Sequence, residues 1–274
     1  MNKMNDEDEI EASRAPLLEH LVELRTRLVW SIIGVVVGFI ACFFFQDQIF
    51  LLLTNPFIEA MREVGKSADV HMINTDAFGF FMTKMKLVLF AALIVSFPMT
   101  AYQVYAFIAP GLYKRERAAA APFLLAAPVM FALGALFVYY IAMPYALRFA
   151  LEQQVSIHAG NGATIHVDYL PKVDEYIALE TTLILAFGLF FQMPVVFSLL
   201  SRVGVITSSF LGKARRYAVV LIAAFAALTA PPDPLSMGIM MIPLYGIFEI
   251  SILVVWLLER GDKKKAAAEG AASA

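Results

Sequence analysis

Two glutamates, Glu23 and Glu116, stand among arginines and lysines beside long apolar stretches. Glu23 precedes the first stretch and has Arg25 and Arg27 as neighbours; Glu116 lies within Lys114-Arg115-Glu116-Arg117. A carboxylate offers two oxygens that a guanidinium fork meets with two parallel, charge-assisted hydrogen bonds. The point charge of an ammonium matches that geometry poorly. Two carboxylates at one membrane face therefore suit a ligand that carries arginines. The same residues also allow a plainer arrangement. Glu23 and Arg27 are four apart, and such a pair on a helix face contributes about 0.3 kcal/mol. Glu116 would then sit in a solvated basic loop.

Gln192 lies in the middle of an apolar run, directly before Met193-Pro194. An unpaired amide in hydrocarbon is costly. Gln192 is thus expected either to face a protein interior or wet cavity, or to fill the kink at Pro194, whose ring frees the carbonyl near Phe190. Glu180, early in the same run, and Glu249, late in the last run, read as interfacial. Gly34-x-x-x-Gly38 permits close helix approach, within the chain or between copies. His20, His71, His158 and His166 have no metal-ligand spacing, and Cys42 stands alone. With no HExxH, GxSxG or nucleotide-phosphate loop, the sequence supplies no residues for an enzyme, a metal or a cofactor.

The elements that must position these residues are apolar helices. Hydrophobic residues make up 60% of the 274, and charged ones only 16%. Six apolar runs, at 28–45, 87–113, 118–142, 176–201, 217–232 and 235–258, approach or exceed the roughly 20 residues that cross a bilayer core, except the fifth. The expected class is all-α: a polytopic membrane protein of six spans, the last two short. Of 21 lysines and arginines, 15 fall on the side of the two termini and of the connections after runs two and four. That bias predicts both termini in the cytoplasm. Lys84 and Lys86 reach the outer interface by snorkelling. The first residues are acidic, unlike the basic start of a cleaved leader.

Residues 1–15 read as a polar tail, 16–258 as the membrane domain and 259–274 as a second tail. Leu17, Leu21, Leu24 and Leu28 form one stripe of an amphipathic helix that begins at Pro16 and runs into the first span. Two long external loops, about 46–86 and 143–175, are too apolar for solvated linkers and read as caps. In the first, Asn55-Pro56 is expected to stop an apolar stretch before a short helix at 58–64. In the second, Gly160-Asn161-Gly162 precedes alternating residues 164–167.

At this point the chain resembles the TatC family, the multi-spanning receptor of the twin-arginine protein translocase. The likeness rests on His20-Leu-Val-Glu-Leu-Arg25-Thr-Arg27 and on Gln103-Val-Tyr-Ala-Phe-Ile-Ala-Pro-Gly-Leu-Tyr-Lys-Arg-Glu-Arg117. Phe187-Gly-Leu-Phe-Phe-Gln-Met-Pro194, Pro231-Pro-Asp233 and Pro243-Leu-Tyr-Gly-Ile-Phe-Glu249 extend it. The resemblance implies a protein of the bacterial cytoplasmic (inner) membrane that binds twin-arginine signal peptides of folded cargo at the cytoplasmic face. It implies small single-span partners of the TatA/TatB type, self-association, and transport driven by the proton-motive force, with no nucleic acid involved. By position, Glu23 and Glu116 would receive the two signal arginines, with Phe107, Lys114 and Arg25 shaping the pocket. Gln192, Pro194 and Asp233 would form an intramembrane site for a partner helix. The family often has glutamate where this chain has Gln192, and a neutral amide cannot carry a proton. It also often has two basic residues after the loop glutamate, whereas here Arg117 is followed by Ala118. The alternative from the residues alone is a proton-coupled small-molecule transporter, which needs ionisable groups at the midplane and usually repeated halves.

Overall fold

A computed structural model describes the backbone of residues 4–63, 71–108, 114–152, 155–158, 164–167, 170–229 and 234–272. It describes the side chains of residues 20–63, 71–107, 124–152, 170–229 and 234–261. Among these, helices α1 (Met4–Phe44), α2 (Gln46–Glu63), α3 (Gly79–Ile108), α4 (Lys114–Phe137) and α5 (Met143–Glu152) come first. A short antiparallel pair follows, β1 (Val155–His158) with β2 (Thr164–Val167), in register Val155 to Val167. Then come α6 (Val173–Phe190), α7 (Met193–Arg202), α8 (Ser208–Thr229) and α9 (Pro234–Ala272).

Among the described residues, five segments are long and apolar enough to cross a membrane: His20–Phe44, Gly79–Phe107, Leu124–Glu152, Val173–Arg202 and Pro234–Gly261. The fifth run of the sequence lies in α8, which is not among them. Lys213, Arg215 and Arg216 fall in its first half and leave too short an apolar remainder. In α1 only 11% of the most apolar window is buried against protein. Val29, Ile33, Val36, Val37 and Ile40 lie exposed along it. So much apolar surface needs an apolar medium, which a bilayer supplies.

Close contacts set the pairing of the spans. Gly38 lets α1 approach the Ala92 carbonyl of α3, since a Cβ there would stand 3.2 Å from that oxygen. Gly34 faces Met99 of α3 in the same way. The Gly34-x-x-x-Gly38 stripe is thus used inside the chain. Gly134 and Gly188 bring α4 and α6 nearer still: a Cβ on Gly134 would lie 2.8 Å from the Phe187 carbonyl. Phe97 of α3 stacks on Phe131 of α4 at 4.3 Å, and Phe187 and Phe190 of α6 meet Phe225 of α8. Phe187, Phe190 and Phe225 join Leu87, Phe90, Val138, Ile184, Ile222, Met240 and Leu244 in one continuous core.

Two prolines shape the caps. Pro144 follows a π-turn at Val138–Ala142, where the Met143 amide bonds to Val138 five residues back. The widened turn makes room for a ring that would otherwise press on the carbonyl of Tyr140. Pro56 does not stop the helix as the sequence reading expects, for α2 runs through it from Gln46 to Glu63. The reason is tertiary. Tyr139 and Tyr176 donate hydrogen bonds to the carbonyls of Leu52 and Leu53, at 2.9 and 2.8 Å. Ile73 bridges to the start of α6 through its amide to Pro171 and its carbonyl to Val173. Arg148 to Glu63 at 2.6 Å ties α5 to α2. The turn at 160–162 lies outside the described residues.

Candidate functional site

At the end of α1 where the apolar stretch begins, Glu23 and Arg27 sit one turn apart and face α3. The Arg27 Nη2 lies 3.3 Å from Glu23 Oε1, and its Nη1 donates to Gln103 Oε1, also at 3.3 Å. Gln103 comes from α3 and is buried. Glu23 and Arg27 are each about one-third exposed, at 31% and 33%. His20, one turn before Glu23, places its Nδ1 4.0 Å from Glu23 Oε2. Its ring stacks on Phe107 at 4.3 Å and 16°. Four side chains from two helices thus gather around one carboxylate.

The helical period explains this grouping. His20, Glu23 and Arg27 are spaced i, i+3, i+7 and share a face; Gln103 and Phe107 are spaced i, i+4 and share another. The antiparallel contact of α1 with α3 sets the two faces together. Arg25 is exposed and sits about 200° round the helix from Glu23, so the structure does not bring it to the cluster. Lys114 opens α4, and Glu116 lies in its first turn; their side chains fall outside the described residues, as does Asp233. Sequence reasoning named Glu23 and Phe107 but assigned no role to Gln103 or His20. Their spacing to Phe107 and Glu23 was the available signal.

Gln192 lies between α6 and α7, in the turn that Pro194 begins to close. Its Nε2 donates to the Ala127 carbonyl of α4 at 2.8 Å, and the residue is buried. It also lines an apolar cavity of about 300 Å³ with Phe97, Ala101, Tyr105, Leu124 and Leu199. Both sequence readings therefore apply in part: the amide ties the kinked span to its neighbour and borders a cavity. The cavity runs along α3 from Phe97 to Tyr105, so it approaches the turn that carries Gln103.

Glu180 sits in the second turn of α6 and packs against protein. It is fully buried, and neither carboxyl oxygen has a hydrogen-bond partner among the described residues. Glu249 is partly exposed and forms a bidentate pair with Arg215, both contacts 2.8 Å, while Tyr245 donates to it at 2.7 Å. Glu259 accepts from the Ser208 amide at 2.7 Å and from its hydroxyl at 2.5 Å. That capping contact and the Arg215 pair hold α8 antiparallel to α9. No group of three or more metal-ligating side chains occurs among the described residues.

Residues 19–243 match the family model described as TatC, Sec-independent protein translocase protein. Curated relatives bear the same description. The protein of Magnetococcus marinus is 39% identical over 258 residues, which is 94% of this chain and 90% of the relative. That of Campylobacter jejuni is 37% identical, covering 91% and 97%. That of Escherichia coli K12 is 36% identical, covering 86% of each. Two crystal structures of a twin-arginine translocase receptor, TatC, one of them in the detergent DDM, superpose with TM-scores of 0.69 and 0.71. Each is 35% identical and covers 86% of this chain and 97% or 99% of the solved one.

Proposed function

The chain belongs to the TatC family of Sec-independent protein translocase proteins, and from that we propose how its own residues serve a twin-arginine translocase receptor. It is the multi-spanning receptor subunit of the translocase, a membrane protein whose work is binding. Glu23 accepts one arginine of a twin-arginine signal peptide, and Glu116 accepts the other. The observation that carries this reading is that the Glu23 carboxylate already holds a guanidinium, at 3.3 Å, in a one-third-exposed setting walled by Phe107, His20 and Gln103. A site built to hold one guanidinium suits another.

Phe107 and Lys114 bound the pocket, and Arg25 adds to the local field without touching Glu23. The apolar segment of the signal lies along α3 toward the cavity beside Gln192. Both termini are cytoplasmic, α8 serves as a sixth, short span, and the membrane is the bacterial inner membrane. The positive-inside bias supports the first two statements, and the likeness to bacterial relatives supports the third. Gln192, Pro194 and Asp233 mark where a small single-span partner docks; copies of the chain associate, and the proton-motive force drives transport. Family membership favours this reading over a proton-coupled solute transporter, and the buried Gln192 amide cannot titrate.

Site-specific photocrosslinking of a twin-arginine precursor to membranes that contain this protein tests the reading. Crosslinks are expected to disappear with Glu23→Ala, with Glu116→Ala, and with a twin-lysine signal. Crosslinking that persists unchanged in all three would remove the two carboxylates from the site.

A further inference from the structure

We propose that the groove between α8 and α9, at the end where α8 begins, binds the headgroup of an anionic phospholipid. The groove is separate from the Glu23 cluster and does not depend on how Glu23 is read.

Two contacts frame it. Glu259 of α9 holds Ser208 at the start of α8, and Glu249 of α9 holds Arg215, two turns on. At 1.5 Å per residue the two rungs stand about 10 Å apart. Between them lies a cavity of about 420 Å³, lined by Ser209, Gly212, Leu253 and Trp256 and closed at one end by the Arg215–Glu249 pair. Its volume falls in the ~300–1,000 Å³ range of ligand sites. Gly212 gives the groove its depth, since a Cβ there would meet nothing within 4 Å. Ser209, Leu253 and Trp256 are exposed, so the groove opens sideways.

The lining suits the junction of a polar head and an apolar tail. One wall is Leu253 and Trp256; the other carries the Ser209 hydroxyl. Arg215 spends Nε and Nη2 on Glu249 and keeps Nη1 for a phosphate oxygen. Tyr217 and Trp256 are the ring types that sit at headgroup level.

Charge sets the sign of the ligand. Arg215 and Glu249 cancel each other. Around them, Lys213, Arg216 and Arg260 have no carboxylate partner among the described residues. Arg260 lies over the Trp256 ring at 4.7 Å, on the wall of the groove. Lys263-Lys264-Lys265 follow in the sequence. Each of these cations attracts a lipid of net negative charge. A phosphatidylcholine headgroup gains at its phosphate and loses at its trimethylammonium, so the same cations leave it nearly unmoved. The preference for the anionic lipid therefore grows with each cation beside the groove.

Trp256 can report on its own neighbours. The chain has two tryptophans, and Trp30→Phe leaves Trp256 alone. The full chain in that background is placed in phosphatidylcholine vesicles with rising fractions of brominated phosphatidylglycerol or brominated phosphatidylcholine. Quenching of Trp256 then gives the relative affinity of the two lipids. Phosphatidylglycerol is expected to be preferred by about fivefold, the effect of one cation near a membrane surface. Gly212→Leu fills the floor of the groove without changing its charge, and replaces glycine with a better helix former. It is expected to lower the preference by about threefold. Arg260→Gln removes one cation and is expected to lower it by a similar factor. Both variants alter the surroundings of Trp256, but the two lipid series share that change and it drops out of their ratio. Equal quenching by the two lipids in the parent protein overturns the proposal. So does a preference that survives Gly212→Leu undiminished, which would assign it to the diffuse charge of this face. A preference untouched by Arg260→Gln overturns it as well.

Discussion

The Tyr139 hydroxyl donates to the Leu52 carbonyl at 2.9 Å, the same carbonyl that Pro56, four residues on, leaves without an amide partner. A proline inside a helix removes one rung of the ladder and crowds that carbonyl, at a cost of about 3 kcal/mol. Here a side chain from the span opposite replaces the missing donor. Tyr139→Phe is therefore expected to lose about 1 kcal/mol of stability. Thermal unfolding of the purified protein in detergent would show it. The effect should shrink when Pro56→Ala restores the backbone donor. A loss that is the same with and without Pro56 would separate the tyrosine from the proline.

Gly134 and Gly238 make opposite cases for the same substitution. A Cβ at Gly134 would lie 2.8 Å from the Phe187 carbonyl and 3.0 Å from Gly188, both backbone, so one helix must move. At Gly238 nothing stands within 4 Å. Gly134→Ala is expected to destabilise by about 1–3 kcal/mol. Gly238→Ala should be neutral or stabilising, by up to about 1 kcal/mol, through the unfolded chain. The midpoints of detergent unfolding decide both; a neutral Gly134→Ala would show that α4 and α6 can slide apart freely.

These two cases show where the sequence was legible. The apolar runs and the Gly34/Gly38 stripe are periodic, local signals, and the helices α1, α3, α4, α6 and α9 followed from them. The run through Pro56 was misread because a local rule lost to two tyrosines distant in sequence, Tyr139 and Tyr176. Run five, 217–232, is the apolar half of a longer helix, α8, whose first half carries Lys213, Arg215 and Arg216. In the site, Glu23 and Phe107 were legible as members of a motif. Gln103 opens the same motif as Phe107, but its role was not legible, because only the antiparallel contact of α1 with α3 brings it to Arg27. The interfacial reading of Glu180 rests on its place in the first turns of its run, and that local signal does not show that packing buries the side chain against protein.

Glu180 gives a prediction of its own. Its carboxyl is fully buried in α6 with no hydrogen-bond partner among the described residues. A buried polar group without partners costs stability, and an apolar group of similar size removes that cost. Glu180→Met is thus expected to give an equal or higher Tm. A fall of several degrees would mean that the carboxyl makes a contact in the bilayer which the packed chain alone does not supply.

Gln192 holds the kinked span to α4 by donating to the Ala127 carbonyl at 2.8 Å. That contact needs a donor, so the two simplest replacements should part company. Gln192→Leu loses one buried hydrogen bond but leaves no unpaired amide, and its cost should be about 1 kcal/mol. Gln192→Glu keeps the shape, yet a carboxyl donates only while it holds its proton. The stabilising contact is therefore present at low pH and is lost as the pH rises. A pH series of unfolding midpoints, each variant measured against wild type, should show Gln192→Glu falling behind as the buffer becomes alkaline. Gln192→Leu should stay a constant interval below wild type. A Gln192→Glu curve parallel to wild type would show that donation to Ala127 is not what holds α4 against the turn between α6 and α7.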